Sequence, residues 1–152
     1  MLLPLAAFML LLNGICDALD GKIARIRGQI GKQGDFMDHV IDRFSDVFIL
    51  GGIILSPWVN KLLGIPAIVA VLLVSYLGTQ AQAVGQGRLY VGMLARADRI
   101  AILFCALILQ TIVIDQVFNL YILEWVMVYF IAAGIITIIQ RYYTVLQGFK
   151  MR

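Results

Sequence analysis

Apolar residues in this chain neither alternate nor form one-sided stripes. They run on in five long stretches, roughly residues 2–19, 36–55, 65–84, 90–113 and 120–139. A helix needs about 20 predominantly apolar residues to cross a bilayer. A surface helix of a soluble domain keeps a polar face instead. The pattern therefore predicts an all-α, polytopic membrane protein with about five transmembrane helices. Pro66, near the start of the third stretch, suits a first helical turn, where its missing N–H costs nothing. No Ser/Pro-rich linker, low-complexity tract or repeat divides the chain, so residues 1–152 read as one membrane domain.

Composition agrees. The chain is 62% hydrophobic and 14% charged, with a mean hydropathy of +0.94. That excludes an ordinary soluble domain. The first stretch lacks a basic leader and a small-residue cleavage site, so it reads as a retained helix rather than a signal peptide. Charge in the connections predicts orientation. Lys22, Arg25, Arg27 and Lys32 lie between the first two stretches, Arg88 in the third connection, Arg96 and Arg99 just inside the fourth stretch, and Arg141, Lys150 and Arg152 in the tail. The alternate connections hold Lys61, with Asp115 and Glu124 nearby. By the positive-inside rule the first set faces the cytoplasm and the N-terminus lies outside. Trp58, Tyr121 and Trp125 then mark one interface, and Tyr142 and Tyr143 the other. The net charge of +3 follows from this topology and implies no nucleic-acid partner. The expected location is the plasma membrane, among its lipids. Cys16 and Cys105 lie inside apolar stretches without metal-like spacing and read as packing residues.

Against this background the acidic residues are conspicuous. Asp17, Asp20, Asp35, Asp38, Asp42 and Asp46 make up six of the chain's nine acidic residues, and all fall at the junction of the first two apolar stretches. Charged groups beside hydrocarbon are costly and point to function. Asp17 and Asp20, three apart, share a helix face, as do Asp38 and Asp42, four apart. Asp35, Asp38, Asp42 and Asp46 continue as one stripe. Gly28, Gly31 and Gly34 permit a tight return of the chain. Two antiparallel helices would then aim their aspartates at each other, a natural cage for two hard divalent cations. A solvated acidic face paired with Lys22, Arg25 and Arg43 is the plainer reading, but it would not require this spacing. His39, next to Asp38, reads as a structural or supporting residue rather than a ligand.

The residues D17-x2-D20-G21-x2-A24-R25-x8-G34-x3-D38-x3-D42 resemble the signature of the CDP-alcohol phosphatidyltransferases, with all eight specified residues present over 26 positions. In that family the motif joins one membrane helix to the next, and a further helix precedes the pair. Since this chain opens with Met1-Leu2-Leu3-Pro4, the expectation is a six-helix core with its first helix missing, either an N-terminal truncation or a naturally shorter protein. The resemblance implies transfer of a phosphatidyl-type group from a CDP-linked lipid, CDP-diacylglycerol or CDP-archaeol, to an alcohol, with release of CMP. It implies that Asp17, Asp20, Asp38 and Asp42 bind two divalent ions, Mg²⁺ or Mn²⁺. Asp42 would also be the general base. Asp17, Asp20, Gly21, Ala24, Arg25 and Gly34 would bind the nucleotide. A homodimer is implied as well, for which the small residues Gly51-Gly52 and Ala132-Ala133-Gly134 permit close helix contact.

The acceptor is read from arginines. Arg96 and Arg99 share a helix face, and Arg141 ends the last stretch on the same side. Guanidinium groups bind phosphate with a fixed fork geometry. The Arg96-Ala97-Asp98-Arg99 run and Asp42-Arg43-Phe44-Ser45-Asp46 resemble family members that use inositol phosphate, the phosphatidylinositol-phosphate and archaetidylinositol-phosphate synthases. A basic residue that some of them carry near residues 78–80 is absent. The expected acceptor is a polyol phosphate, inositol phosphate first, with glycerol phosphate or serine as alternatives. The plainer reading of Arg96 and Arg99 is interface anchoring. From a different class, a divalent-cation transporter would need polar groups continuing across the membrane. Above Asp17 the first stretch offers Asn13, and beyond Asp46 the second is apolar.

Overall fold

The computed structural model describes residues 2–26, 31–87, 89 and 91–150, without the side chains of Asp20, Gly21, Ala24, Arg25 and Lys32. The predicted roles of those four motif residues, and of Arg27, Gly28, Arg88 and Arg152, therefore lie outside the described residues. The architecture is all-α. Its helices are α1 (Leu3–Ile26), α2 (Lys32–Ile54), α3 (Lys61–Ala83), α4 (Arg96–Ile112) and α5 (Ile122–Lys150). By length and composition α3 and α5 suffice to cross a membrane, and α1 carries a shorter apolar run over Leu3–Leu19. In α2 the charged residues all lie at or before Asp46, and in α4 at or before Arg99.

Neighbour contacts fix the directions. Asp17 meets Arg96, and Gly14 faces Ile100, so α1 and α4 run antiparallel. Asn60, which caps α3 by accepting from the Leu62 N–H, donates its own N–H to Glu124 Oε1 (2.9 Å) at the start of α5. Val74 of α3 meets Arg141 of α5, so those two run parallel. Thus α1, α3 and α5 run toward the end that holds the aspartates, and α2 and α4 run away from it. The opposite end is locked by Glu124, which also accepts from the Tyr121 N–H (2.8 Å), and by an edge-on Trp58–Tyr121 ring pair. Fully buried Gln110 bridges the Leu123 N–H and the Val113 carbonyl. These buried polar groups are satisfied, as stability requires.

The core between α3 and α5 is tight because small residues face each other. A Cβ on Gly134 would stand 2.8 Å from Ala70 Cβ, and Ala133 is buried beside it. This corrects the reading of Ala133-Gly134 as a face for a second copy: they are used within the protomer. Gly51 and Gly52 instead have open space where a Cβ would be.

Three boundaries differ from the hydropathy pattern. Helix α1 continues past Asp17 to Ile26 because residues 18–26 contain no proline and are mostly good helix formers. Pro66 sits in the second turn of α3, not the first, leaving the exposed Leu62 turn without that N–H partner. Helix α4 starts at Arg96, because residues 91–95 form a bent, non-helical strap. Gly92 takes φ +129°, which its lack of a Cβ allows. The Met93 N–H donates to Thr137 Oγ1 (3.1 Å), and Leu94 is fully buried. The strap sets the first turn of α4 against α2 and α5.

Candidate active site

Helix α2 carries Asp38, Asp42 and Asp46 at intervals of four, so they share a face, and burial increases along it. Asp38 is exposed, whereas Asp42 and Asp46 are 8% and 7% exposed. From α1, Asp17 reaches the same region. One ligand-capable atom from each of Asp38, His39 and Asp42 lies within 4.8 Å of the others. This differs from the reading of His39 as a supporting residue. His39 and Asp42 are three apart, so helix periodicity already put them on one face. The imidazole also stands 3.8 Å from Asp35. Two carboxylates and an imidazole at this spacing fit a divalent cation.

The other half of the site is basic. A cavity of about 320 Å³ is lined by Asp42 together with Arg43, Arg96, Arg99 and Arg141. All three arginines singled out in the sequence reach it. Their anchoring differs. Arg96 Nη1 bridges Asp17 Oδ2 (2.6 Å) and Asp42 Oδ1 (2.8 Å). Arg99, 4% exposed, donates from Nη2 to Asp46 Oδ2 (2.8 Å). Arg141 donates from Nε to the Val91 carbonyl (3.0 Å) and from Nη1 to the Val74 carbonyl (2.5 Å), clasping the strap and α3. Gly78 makes room for it, since a Cβ there would lie 2.9 Å from Arg141 Nη1. Ala95, the N-cap of α4, makes no side-chain cap, so the positive end of that helix also borders the cavity.

Arg43, named in the sequence only as a partner for the acidic face and within the Asp42–Asp46 run, is a site residue that sequence reasoning did not assign. It lies 3.7 Å from Asp42 and 3.6 Å from Asp46, and its Nε is buried without a hydrogen-bond partner. It also lines a groove with Ser75, Thr79 and Gln82 of α3, all three of which border the basic cavity. Helix α3 thus contributes neutral polar groups, and the cation on that side comes from α2. The signal was available: Arg43 directly follows Asp42 and stands three residues before Asp46.

The Arg99–Asp46 pair yields a stability prediction. Asp46→Ala leaves a buried guanidinium uncompensated, which costs about 3–5 kcal/mol. The thermal midpoint in detergent should fall steeply, and adding Arg99→Met should restore most of it. An unchanged midpoint in Asp46→Ala would show that the pair does not hold α4 to α2.

A separate groove of about 760 Å³ opens between α1 and α2, because α1 leans on α4. Leu3, Met9, Leu10, Phe48, Ile53 and Trp58 line it, with Asn13 and Ser45 as polar points. Asn13 is four residues before Asp17, and Ser45 three after Asp42, so the groove adjoins the aspartates.

Comparison with known proteins places this geometry. The family model for CDP-alcohol phosphatidyltransferase matches residues 3–130. The archaetidylinositol phosphate synthase of Pyrococcus horikoshii is 35% identical over 147 residues, covering 97% of this chain and 72% of the relative. That of Methanothermobacter thermautotrophicus is 33% identical over 144 residues, covering 95% and 71%. The crystal structure of Mycobacterium tuberculosis phosphatidylinositol phosphate synthase with CDP-DAG bound superposes with a TM-score of 0.75 at 25% identity. The match covers 95% of this chain and 77% of that one.

Proposed function

The chain belongs to the CDP-alcohol phosphatidyltransferase family, a helical membrane transferase of phospholipid biosynthesis, and we propose that its acceptor is inositol phosphate. The observation that carries this reading is the single cavity in which Asp42 meets arginines from three helices: Arg43 of α2, Arg96 and Arg99 of α4, and Arg141 of α5. A hydroxyl held beside Asp42 with its phosphate among guanidinium groups describes a phosphorylated polyol. Serine offers no phosphate for that cluster. The relatives, archaetidylinositol phosphate and phosphatidylinositol phosphate synthases, point the same way.

In the proposed reaction the acceptor oxygen bonds to the lipid-linked phosphorus of the CDP-lipid. The bond from that phosphorus to CMP breaks, and the acceptor proton passes to an Asp42 carboxylate oxygen. Divalent ions, Mg²⁺ or Mn²⁺ and two in number, would be held by Asp17, Asp20, Asp38 and Asp42, with His39 close to the last two. Bound there, they neutralise the pyrophosphate and make CMP a better leaving group. The chain's own residues do the rest. Arg141, rigidly clasped by two carbonyls, presents a fixed charge, and fixed donors cost no reorganisation during reaction. Arg43 supplies the positive charge that α3 lacks. The apolar groove between α1 and α2 accepts the donor's hydrocarbon chains, CDP-archaeol or CDP-diacylglycerol. Asp17, Asp20, Gly21, Ala24, Arg25 and Gly34 form the proposed nucleotide side. The proposed setting is the cytoplasmic face of the plasma membrane. The functional unit is proposed to be a homodimer, for which Gly51, with open space where a Cβ would be, remains available.

The test separates the two substrates. Arg141→Ala removes charge-assisted contacts worth about 1.5–3 kcal/mol each, roughly ten- to hundredfold in affinity. The KM for inositol phosphate should rise by that factor while the KM for the CDP-lipid stays within about twofold. Loss confined to donor binding would refute the acceptor assignment.

A further inference from the structure

Around the basic cavity the arginines are held in different ways, and Arg43, 3.7 Å from Asp42 and 3.6 Å from Asp46, approaches one proposed metal ligand more loosely. Arg99 is held by Asp46 and Arg141 by two backbone carbonyls. Arg96 is held by Asp17 and Asp42, two of the carboxylates proposed above as metal ligands. We propose that Arg96 is a positioning residue that competes with the divalent cation for these carboxylates and couples metal loading to binding of the acceptor's phosphate. This inference rests on the proposed function and adds a thermodynamic link between its two halves.

The competition is geometric. A guanidinium nitrogen 2.6 Å from Asp17 Oδ2 and 2.8 Å from Asp42 Oδ1 occupies the space in front of both oxygens. A hard cation needs those oxygens at about 2.0–2.6 Å. Two cations cannot share that space, so loading a metal onto these oxygens requires Arg96 to let go. Its alternative position is set by the fold. Arg96 opens the first turn of α4 and already lines the cavity with Arg43, Arg99 and Arg141. Turning into it would add a fourth guanidinium to three, which is unfavourable unless an anion is present. A phosphate dianion in the cavity removes that penalty. Arg96 Nε is buried and lacks a hydrogen-bond partner, so part of the donor set is unused in the carboxylate-bound position. Phosphate then favours metal, and metal favours phosphate by the same factor, because linkage is reciprocal.

The coupling has a sign that other roles lack. An Arg96 that only bound phosphate, away from these carboxylates, would leave the metal affinity of the phosphate-free protein unchanged when removed. A purely structural Arg96 weakens metal binding when removed. A competing Arg96 makes removal tighten it. The experiment is Mn²⁺ titration of the purified protein in lipid nanodiscs, followed by electron paramagnetic resonance of free Mn²⁺. It is run with and without inorganic phosphate or inositol 1-phosphate, on wild type, Arg96→Ala and Arg96→Gln. Binding of the anion to Mn²⁺ itself is corrected on empty nanodiscs.

Without phosphate, both variants should bind Mn²⁺ about tenfold more tightly, the effect of losing roughly 1.4 kcal/mol of competing interaction. Either anion should tighten Mn²⁺ binding to wild type, by roughly 5- to 150-fold if the coupling is of ordinary size, and should tighten it much less in the variants. A response to inositol 1-phosphate alone would tie the coupling to the polyol, and a response to both would tie it to the phosphate. Equal or weaker Mn²⁺ affinity in two folded variants, judged by elution profile and thermal midpoint, overturns the inference while leaving the proposed function standing. Loss of fold in Arg96→Ala leaves the decision to Arg96→Gln and to the phosphate response of wild type, whose absence also overturns it. Failure of active wild-type protein to bind Mn²⁺ or Mg²⁺ sinks both readings together.

Discussion

Asp42→Asn is expected to eliminate turnover while leaving most of the affinity for the CDP-lipid. The change preserves shape and one acceptor oxygen, but an amide cannot take up the acceptor's proton. General-base catalysis is typically worth 10²–10⁴-fold, and the CMP-release rate should fall by at least that much. Asp42 is positioned for this role at the wall between the carboxylate cluster and the arginine cavity. Asp38→Asn makes the contrasting case. Its exposed carboxylate lies in the ligand-capable group but does not line the cavity. Its defect should appear as weakened metal and nucleotide binding and be partly recovered by raising the metal concentration. Raising metal should not rescue Asp42→Asn. Substantial turnover by Asp42→Asn, measured as CMP released in a single-turnover experiment, would remove Asp42 from the base role.

Chelation is expected to have an effect of similar size. Metal ions contribute several kcal/mol of charge stabilisation in reactions of this kind, and each 1.36 kcal/mol is tenfold in rate. EDTA treatment should therefore lower activity by about 10³-fold or more. Mg²⁺ or Mn²⁺ should restore it, and the monovalent ions of the buffer should not. Restoration should be sigmoidal or biphasic if two ions act together. Activity that persists after exhaustive chelation would contradict the use of divalent ions by this aspartate cluster.

Much of this molecule is readable from its sequence because a membrane imposes simple rules. Long, mostly apolar stretches located the five described helices, and spacing of three and four grouped the aspartates without any tertiary knowledge. Reading failed where a decision depended on contacts between distant segments. Residues 91–95 are as apolar as a helix, yet hydrogen bonds to Thr137 and Arg141 of α5 hold them out of one. Ala133 and Gly134 looked free for a second copy, but Ala70, more than sixty residues earlier in the chain, fills the space beside them. Arg43 was overlooked because its neighbours Asp42 and Asp46 explain a positive charge locally. Its place beside Ser75, Thr79 and Gln82 depends on how α2 packs on α3. The division of labour among Arg96, Arg99 and Arg141 was equally hidden, since a shared helix face does not say which carboxylate or carbonyl each guanidinium will meet.

The central claim is that this cavity selects inositol phosphate as the alcohol attacking a CDP-lipid. The most direct measurement is CMP release by the purified protein in lipid nanodiscs with Mg²⁺ and a CDP-lipid. Parallel reactions offer inositol 1-phosphate, unphosphorylated inositol, glycerol 3-phosphate and serine, and the lipid product is identified by mass spectrometry. The account predicts rapid CMP release and a phosphoinositol-phosphate lipid with inositol 1-phosphate, and little above background with the others. Preferred use of serine, glycerol 3-phosphate or unphosphorylated inositol would contradict it.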